Sequence, residues 1–311
     1  MNIKETVITY PSYDKASQIY ALFWDAEDVQ PQGIVQIVHG AAEHCERYRD
    51  FAHFLVGEGY FVCANDHIGH GKSIGDIAML GHMPVKNGKE VLLADIDALR
   101  KYISIRYPDV PYFMFGHSMG SFILRVYLSK HAKGLAGVIL SGTGQQPKAL
   151  SFLGGVMARI LAKTKGEQYQ SALLHSIGMG ALSKSIPHAR TPFDWISTDQ
   201  AVVDAYVADE RCGEVFTVGG YATLTGLTGE MVTAACAKAV PDDLPLLFLS
   251  GKEDPVGEKG KAVKAAISQY CKAGQKHVGL QLYDGLRHEV LNEPIRECVY
   301  RDIVDWLEAT A

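Results

Sequence analysis

Short runs of nearly unbroken apolar residues recur along the chain, each closing on turn-forming residues. They are GIVQIVHG from Gly33, YFVCAND from Tyr60, YFMFGHS from Tyr112, AGVILSG from Ala136, LPLLFLSG from Leu244 and VGLQLYDG from Val278. Runs this short, with no alternation, mark strands buried on both faces. Between them the apolar positions fall at helical spacing. Tyr48, Phe51, Ala52 and Leu55 share a face, as do Leu92, Ile96, Leu99 and Ile103. Val263, Ala266, Ile267 and Tyr270 repeat the pattern, and Ile295, Val299, Ile303 and Trp306 close it. Strands alternating with amphipathic helices predict an α/β fold, a mostly parallel central sheet with helices on both faces. The leading runs ETVITYP and SQIYALFW, separated by a polar turn, predict an antiparallel hairpin at the sheet edge.

One region breaks the alternation. Between about Gln145 and Cys236 the pattern is helical and glycine-interrupted, as in GGVMARILAKTKG, SIGMGALSKSIP and VGGYATLTGLTGE. This predicts a helical cap over residues 145–236, inserted into a core formed by 1–144 and 237–311. An insertion there lies over the C-terminal edge of the sheet, where α/β folds bind ligands. Within it Leu153, Val156, Met157, Ile160 and Leu161 fall on one helical face. That face serves core packing, roofs an acyl tunnel or rests on a lipid surface.

Composition narrows the class without choosing within it. With 311 residues, 47% hydrophobic, the chain is long enough for one large core carrying an insertion. A net charge of −5 and the lack of a basic run argue against nucleic acid or anionic lipid as an electrostatic partner. The N-terminal stretch MNIKETVITYPSYDKAS has no apolar signal core. The six cysteines stand without paired or zinc-type spacing, so the expectation is free thiols, no metal and a cytoplasmic setting.

The chemistry gathers where YFMF runs into Gly116-His-Ser-Met-Gly120 and an amphipathic run follows. A strand turning directly into a helix needs small residues on either side of its apex, and the apical side chain is then held in a strained, exposed pose. Ser118 occupies that apex. A second G-x-S-x-G, GKSIG at Gly71 to Gly75, sits in a polar loop and lacks the strand before it.

A serine nucleophile requires a base, an acid to orient that base, and an oxyanion hole. The strand LPLLFLSG leads into KEDPVG and the strand VGLQLYDG into LRHEVLNE, which puts Asp254 and His288 in neighbouring loops. Glu253 and Asp284 are rival acids. The amide of Met119 supplies one donor of the hole, and that of Ala41, after the strand-ending His39-Gly40, supplies the other.

Taken together, HGAAEHCERY, DHIGHGKS, GHSMG, FDWISTDQAVVDAYVADERCG, SGKEDPVG and YDGLRHEVLNE resemble the monoacylglycerol lipase and lysophospholipase branch of the α/β-hydrolases, grouped with serine aminopeptidase-like sequences. The resemblance runs along most of the chain. It implies the α/β-hydrolase fold with a cap, no cofactor, and hydrolysis of single-chain acyl esters such as monoacylglycerols or lysophospholipids. It also implies that Glu43 and Arg47 hold a polar alcohol head group; their bare spacing (i, i+4) equally describes an ion pair. Ala42 departs from the glycine common in relatives, and Ile196-Ser-Thr-Asp from Leu-Ser-Arg-Asp. The DHIGHG segment reads as loop architecture. Other readings are a short-chain or aromatic carboxylesterase, an iminopeptidase, or a non-catalytic ligand receptor on the same scaffold. Partners would be the ester itself and, through the cap, a membrane or micelle surface; oligomeric state is open.

Overall fold

In the computed structural model, which describes residues 2–27 and 29–311, each apolar run becomes a strand. The strands are β1 (Ile3–Pro11), β2 (Gln18–Ala26), β3 (Gly33–Val38), β4 (Tyr60–Asn65), β5 (Tyr112–His117), β6 (Gly137–Ser141), β7 (Leu246–Gly251) and β8 (Val278–Tyr283). They form one eight-stranded sheet in the order β1-β2-β4-β3-β5-β6-β7-β8. β1 and β2 pair antiparallel, as the hairpin pattern predicts, and β2 joins β4 antiparallel. From β4 to β8 every pairing is parallel. This is the α/β-hydrolase fold.

The helices are α1 (Arg49–Gly57), α2 (Gly88–Arg106), α3 (Met119–His131), α4 (Lys148–Lys165), α5 (Ala172–Ile177), α6 (Gln200–Ala208), α7 (Val218–Met231), α8 (Ala234–Lys238), α9 (Lys261–Ala273) and α10 (Arg296–Thr310). Alternate strand residues go to opposite faces, so each strand feeds two cores. Val35, Ile37, Phe113 and Phe115 pack with Phe51 and Leu55 of α1 and Val299 and Ile303 of α10. Ile34, Val38, Met114 and Val138 pack with Ile96 of α2, Ile123 of α3 and Val263 of α9.

Two helices differ in phase from their sequence pattern. α10 begins only at Arg296, so Ile295 is left exposed, and the buried face turns toward Tyr300, Val304 and Leu307. In α4 the buried positions are Ser151, Gly155 and Ala158, while Leu150, Phe152, Leu153 and Ile160 are exposed. The cause is close approach to α7: a Cβ on Gly154 or Gly155 would stand 3.1–3.2 Å from Thr225. Small residues take the closest contact, Met157 and Leu161 pack half-buried against the core, and Leu150, Phe152, Leu153 and Ile160 face outward. Val218, Tyr221, Leu227 and Met231 of α7 belong to the same hydrophobic cluster as α2 and α3. Ile196, Val203 and Tyr206 form a separate small cluster with Phe193, Trp195 and Cys212.

Strand order positions the site. The chain steps from β3 to β4 on one side and later to β5 on the other, so order reverses beside β3. Such a reversal opens a crevice at the C-terminal strand ends. The register pairs Val38 with Gly116, His117 with Ser141, and Gly251 with Tyr283. The loops after β3, β5, β6, β7 and β8 therefore leave from one rim.

Candidate active site

Ser118 sits between the end of β5 and the start of α3 with φ 51° and ψ −119°, a region that non-glycine residues occupy only under strain. The flanking glycines are there for space. A Cβ on Gly116 would lie 2.8 Å from the Gly120 carbonyl oxygen, and one on Gly120 would collide with the Val38 carbonyl. Ser118 is partly exposed, and its own N–H donates to the Ser141 carbonyl at 2.9 Å. The rival Ser73 is buried and fully employed, accepting from the Tyr20 amide and donating to the Asp66 carbonyl, both at 2.8 Å.

His288 follows β8 and is 2% exposed, its Nδ1 lying 3.0 Å from Oδ1 of Asp254. Asp254 follows β7, is fully buried, and also accepts from the Val256 amide at 2.8 Å. The other acids turn outward: Glu253 pairs with Lys259 and Asp284 with Lys252 at the surface. With Asp254 fixing Nδ1, the Nε2 of His288 has no hydrogen-bond partner among the described residues. Its ring stands 4.6 Å from that of His117, the residue before Ser118. Burial presses the His288 pKa down, but the charge and hydrogen bond of Asp254 outweigh it and hold the pKa above the ordinary histidine value. Burial drives His117 the other way, to about 3, so it stays neutral.

A Cβ on Gly40 would lie 3.1 Å from Cβ of Ser118, which shows how closely the end of β3 approaches the serine. Ala41 follows it. Among the described residues neither the Ala41 nor the Met119 amide donates to a protein acceptor. Ala42 has φ 56°, the left-handed region where glycine is at ease. Its carbonyl accepts from Tyr206 Oη at 2.7 Å and from the Gly213 amide at 2.9 Å.

Glu43 and Arg47 are drawn into each other. Glu43 accepts from the Gly40 amide at 2.6 Å, from Tyr48 Oη at 2.8 Å and from Arg47 at 2.7 Å. Arg47 then makes a two-pronged pair with Glu289 at 2.7–2.8 Å. Glu289 carries no role in the sequence reasoning. Its one signal there is an acid directly after the proposed base, for which a buried cation elsewhere must answer. Trp195 was also missed; its ring lies 4.9 Å from that of His288.

The histidine loop is tied to the insertion. Glu293 accepts from Ser197 and Thr198 side chains and from the Thr198 and Arg287 amides. Thr198, one of the two departures from Leu-Ser-Arg-Asp noted in the sequence, contributes its hydroxyl to this cluster. The DHIGHG loop is architectural, as its sequence suggests: Asp66 accepts from the Cys45 and Lys72 amides, and His67 donates to the His39 carbonyl at 3.1 Å. Burial lowers the pKa of His67 to about 3 and that of His70 to about 4.

Among the described residues His44, Asp209 and Cys212 bring ligand-type atoms within 4.8 Å of one another. Asp209, however, already accepts from His44 and from the Arg211 amide at 2.9 Å each. The trio reads as a hydrogen-bonded seam. Among the described residues no helix is long and apolar enough to cross a membrane.

Fold and site together define a serine hydrolase-type α/β-hydrolase. The family model for serine aminopeptidase, S33, matches residues 29–295, and the chain belongs to that family. It is 31% identical over 291 residues to a monoacylglycerol lipase of Mycolicibacterium smegmatis, covering 90% of this chain and 89% of that one. It is 25% identical to monoglyceride lipase of Mus musculus, covering 93% and 86%. The crystal structure of a thermostable carboxyl esterase from Bacillus coagulans, in complex with glycerol, superposes with a TM-score of 0.91 at 32% identity, covering 100% and 99%.

Proposed function

We propose that this protein hydrolyses carboxylic esters through an acyl-enzyme on Ser118, with His288 as base and Asp254 as its orienting acid. It is a carboxylic ester hydrolase in which Ser118 Oγ attacks the ester carbonyl and His288 Nε2 takes the proton. The Ala41 and Met119 amides receive the developing oxyanion. His288 then protonates the departing alcohol, and water releases the acid by the same route. The observation that carries the reading is the buried Asp254–His288 hydrogen bond, with the His288 ring 4.6 Å from that of His117, whose chain neighbour is the strained, partly exposed Ser118.

Monoacylglycerols or lysophospholipids are the substrates this reading favours, because lipases acting on single-chain glycerides stand among its relatives across most of the chain. A short-chain or aromatic carboxylesterase is the second reading, favoured by the likeness to the Bacillus coagulans esterase. For an iminopeptidase, which needs acids free to catch an amine, four of the insertion's acids are already engaged, and Glu210 is exposed at the surface. Asp194 accepts from Thr191, Asp199 caps α6, Asp204 pairs with Arg190 and Asp209 with His44. Residues 145–236 act as the cap. Through Leu150, Phe152, Leu153 and Ile160 of α4, and Leu173 and Ile177 of α5, that cap rests on a membrane or micelle from which substrate is drawn. Free cysteines throughout the described residues suit a reducing cytoplasm.

A fluorophosphonate probe should label the protein, and Ser118→Ala should abolish labelling while lowering ester turnover on the order of 10⁴–10⁶-fold. Near-normal turnover by Ser118→Ala would end the mechanism. Chain-length series of monoacylglycerols, lysophospholipids and nitrophenyl esters then separate the two substrate readings.

A further inference from the structure

Arg47 is the centre of a buried charge knot that joins three separate parts of the molecule. Its guanidinium and its two carboxylate partners are nearly sequestered, with 12%, 4% and 6% of the Arg47, Glu43 and Glu289 side chains exposed. Glu43 reaches from Arg47 to the Gly40 amide, one residue before the proposed hole amide of Ala41. Glu289 holds the other prong from the residue next to His288. Its carboxylate is also bonded by Asn292 at 2.9 Å, and its own amide donates to the Ile196 carbonyl of the insertion at 2.7 Å. The ring of Tyr206 lies against the guanidinium at 4.8 Å while its hydroxyl bonds the Ala42 carbonyl.

We infer that Glu43, Arg47 and Glu289 are positioning residues that set the oxyanion loop against the histidine loop, and that Arg47 does not grip the alcohol of the substrate. The inference rests on the ester-hydrolase reading and deepens it. Arg47 spends Nη1 on both carboxylates and Nη2 on Glu289, so its fork faces protein rather than substrate. Paired charges with satisfied hydrogen bonds fix geometry at a buried seam, and misplacement of reacting groups by about 1 Å costs on the order of 10²-fold in rate. Burial raises the Glu289 pKa, but Arg47 outweighs it and keeps the carboxylate ionised far below neutrality. The Arg47–Glu289 pair therefore stays charged across the working pH range. Glu289 also sets a carboxylate charge beside His288 that favours the protonated imidazole. The charged or titratable groups facing that imidazole are Asp254 from the β7 loop, His117 from the elbow, Glu289 from its own loop, and Glu43 and Arg47 from the β3 loop.

The test is steady-state kinetics of the full chain with Glu289→Gln and Glu43→Gln, on a monoacylglycerol and a nitrophenyl ester of the same acyl length. Each variant leaves Arg47 paired with the remaining carboxylate, and the melting temperature of each is recorded. The expected result is a kcat loss of about 10–100-fold, the same on both esters, with KM within about twofold. Fluorophosphonate labelling, which involves no alcohol, should slow by the same factor. The acid limb of kcat/KM should move to lower pH in Glu289→Gln, because a negative neighbour of His288 has gone. A loss confined to the glyceride and expressed in KM overturns the inference in favour of head-group binding. Unchanged labelling and kcat in both folded variants overturns it as well. If Glu289→Gln fails to fold, Glu43→Gln alone decides by the same criteria. Absence of labelling in the unmutated protein instead removes the ester-hydrolase reading itself.

Discussion

Glu214 illustrates what a single residue can hold in reserve. Both its carboxylate oxygens are buried without a hydrogen-bond partner among the described residues, and the nearest base, Nε2 of His70, is 3.9 Å away. Burial, with the nearby charge of Glu43, pushes its pKa up to about 8. The folded protein thus keeps a proton that the unfolded chain releases near the ordinary carboxylate value. In that window the unfolded state binds fewer protons, so stability falls as pH rises from about 4.5 toward 8. Glu214→Gln should raise stability by about 1–3 kcal/mol at pH 7 and change it little at pH 4.5. Urea midpoints at the two pH values check this; an equal gain at both would contradict it. At the same scale, Ser118, Asp254 and His288 were legible in the sequence because each stands just past a buried run. Glu289 was not. Its importance lies in Arg47, 242 residues away in the chain, and no local pattern announces such a pair.

Among the elements, α4 departs most from what its sequence suggests. Periodicity puts Leu153, Val156, Met157, Ile160 and Leu161 on one face that could pack, roof a tunnel or meet lipid. Met157 and Leu161 pack against the core, while the fully buried contact goes to Ser151, Gly155 and Ala158. Period tells which residues share a side; it does not tell whether a neighbour's shape demands bulk or closeness. With α7 so near, small residues let the two backbones approach, and Leu153 and Ile160 face outward. Leu153→Asp with Ile160→Asp should therefore leave the fold and the hydrolysis of dispersed short esters intact. Binding to neutral phospholipid vesicles, and turnover of vesicle-borne substrate, should fall by about tenfold or more, as loss of two buried leucine-sized side chains from a lipid surface implies. Sedimentation with vesicles measures it directly; undiminished binding would remove the docking role of α4. The strands show the opposite case. β3 to β7, buried throughout, read as continuous apolar runs. β8, at the sheet edge, leaves Leu280 and Gln281 exposed, against the expectation of burial on both faces. The observed limits fall within a residue or two of the runs.

For the molecule as a whole, strand order is what the sequence withheld. Alternation of strands and helices predicts a parallel sheet, but not that β3 lies between β4 and β5. That placement is set by which crossovers pack, and it makes the crevice into which Gly40, Ser118 and the loops after β7 and β8 all open. The insertion is bound to this rim from several sides: Tyr206 and Gly213 to Ala42, Ile196 to Glu289, Ser197 and Thr198 to Glu293. Trp195 arrives with it and lies across His288. An indole so close to a titrating imidazole acts as a lamp inside the reaction chamber, since a cationic ring against it both binds its face and quenches its emission. Intrinsic fluorescence should therefore brighten as pH rises through the His288 titration, and Trp195→Phe should remove that step. The protonation of His288, the proposed base, could then be followed by light before any ester has been added.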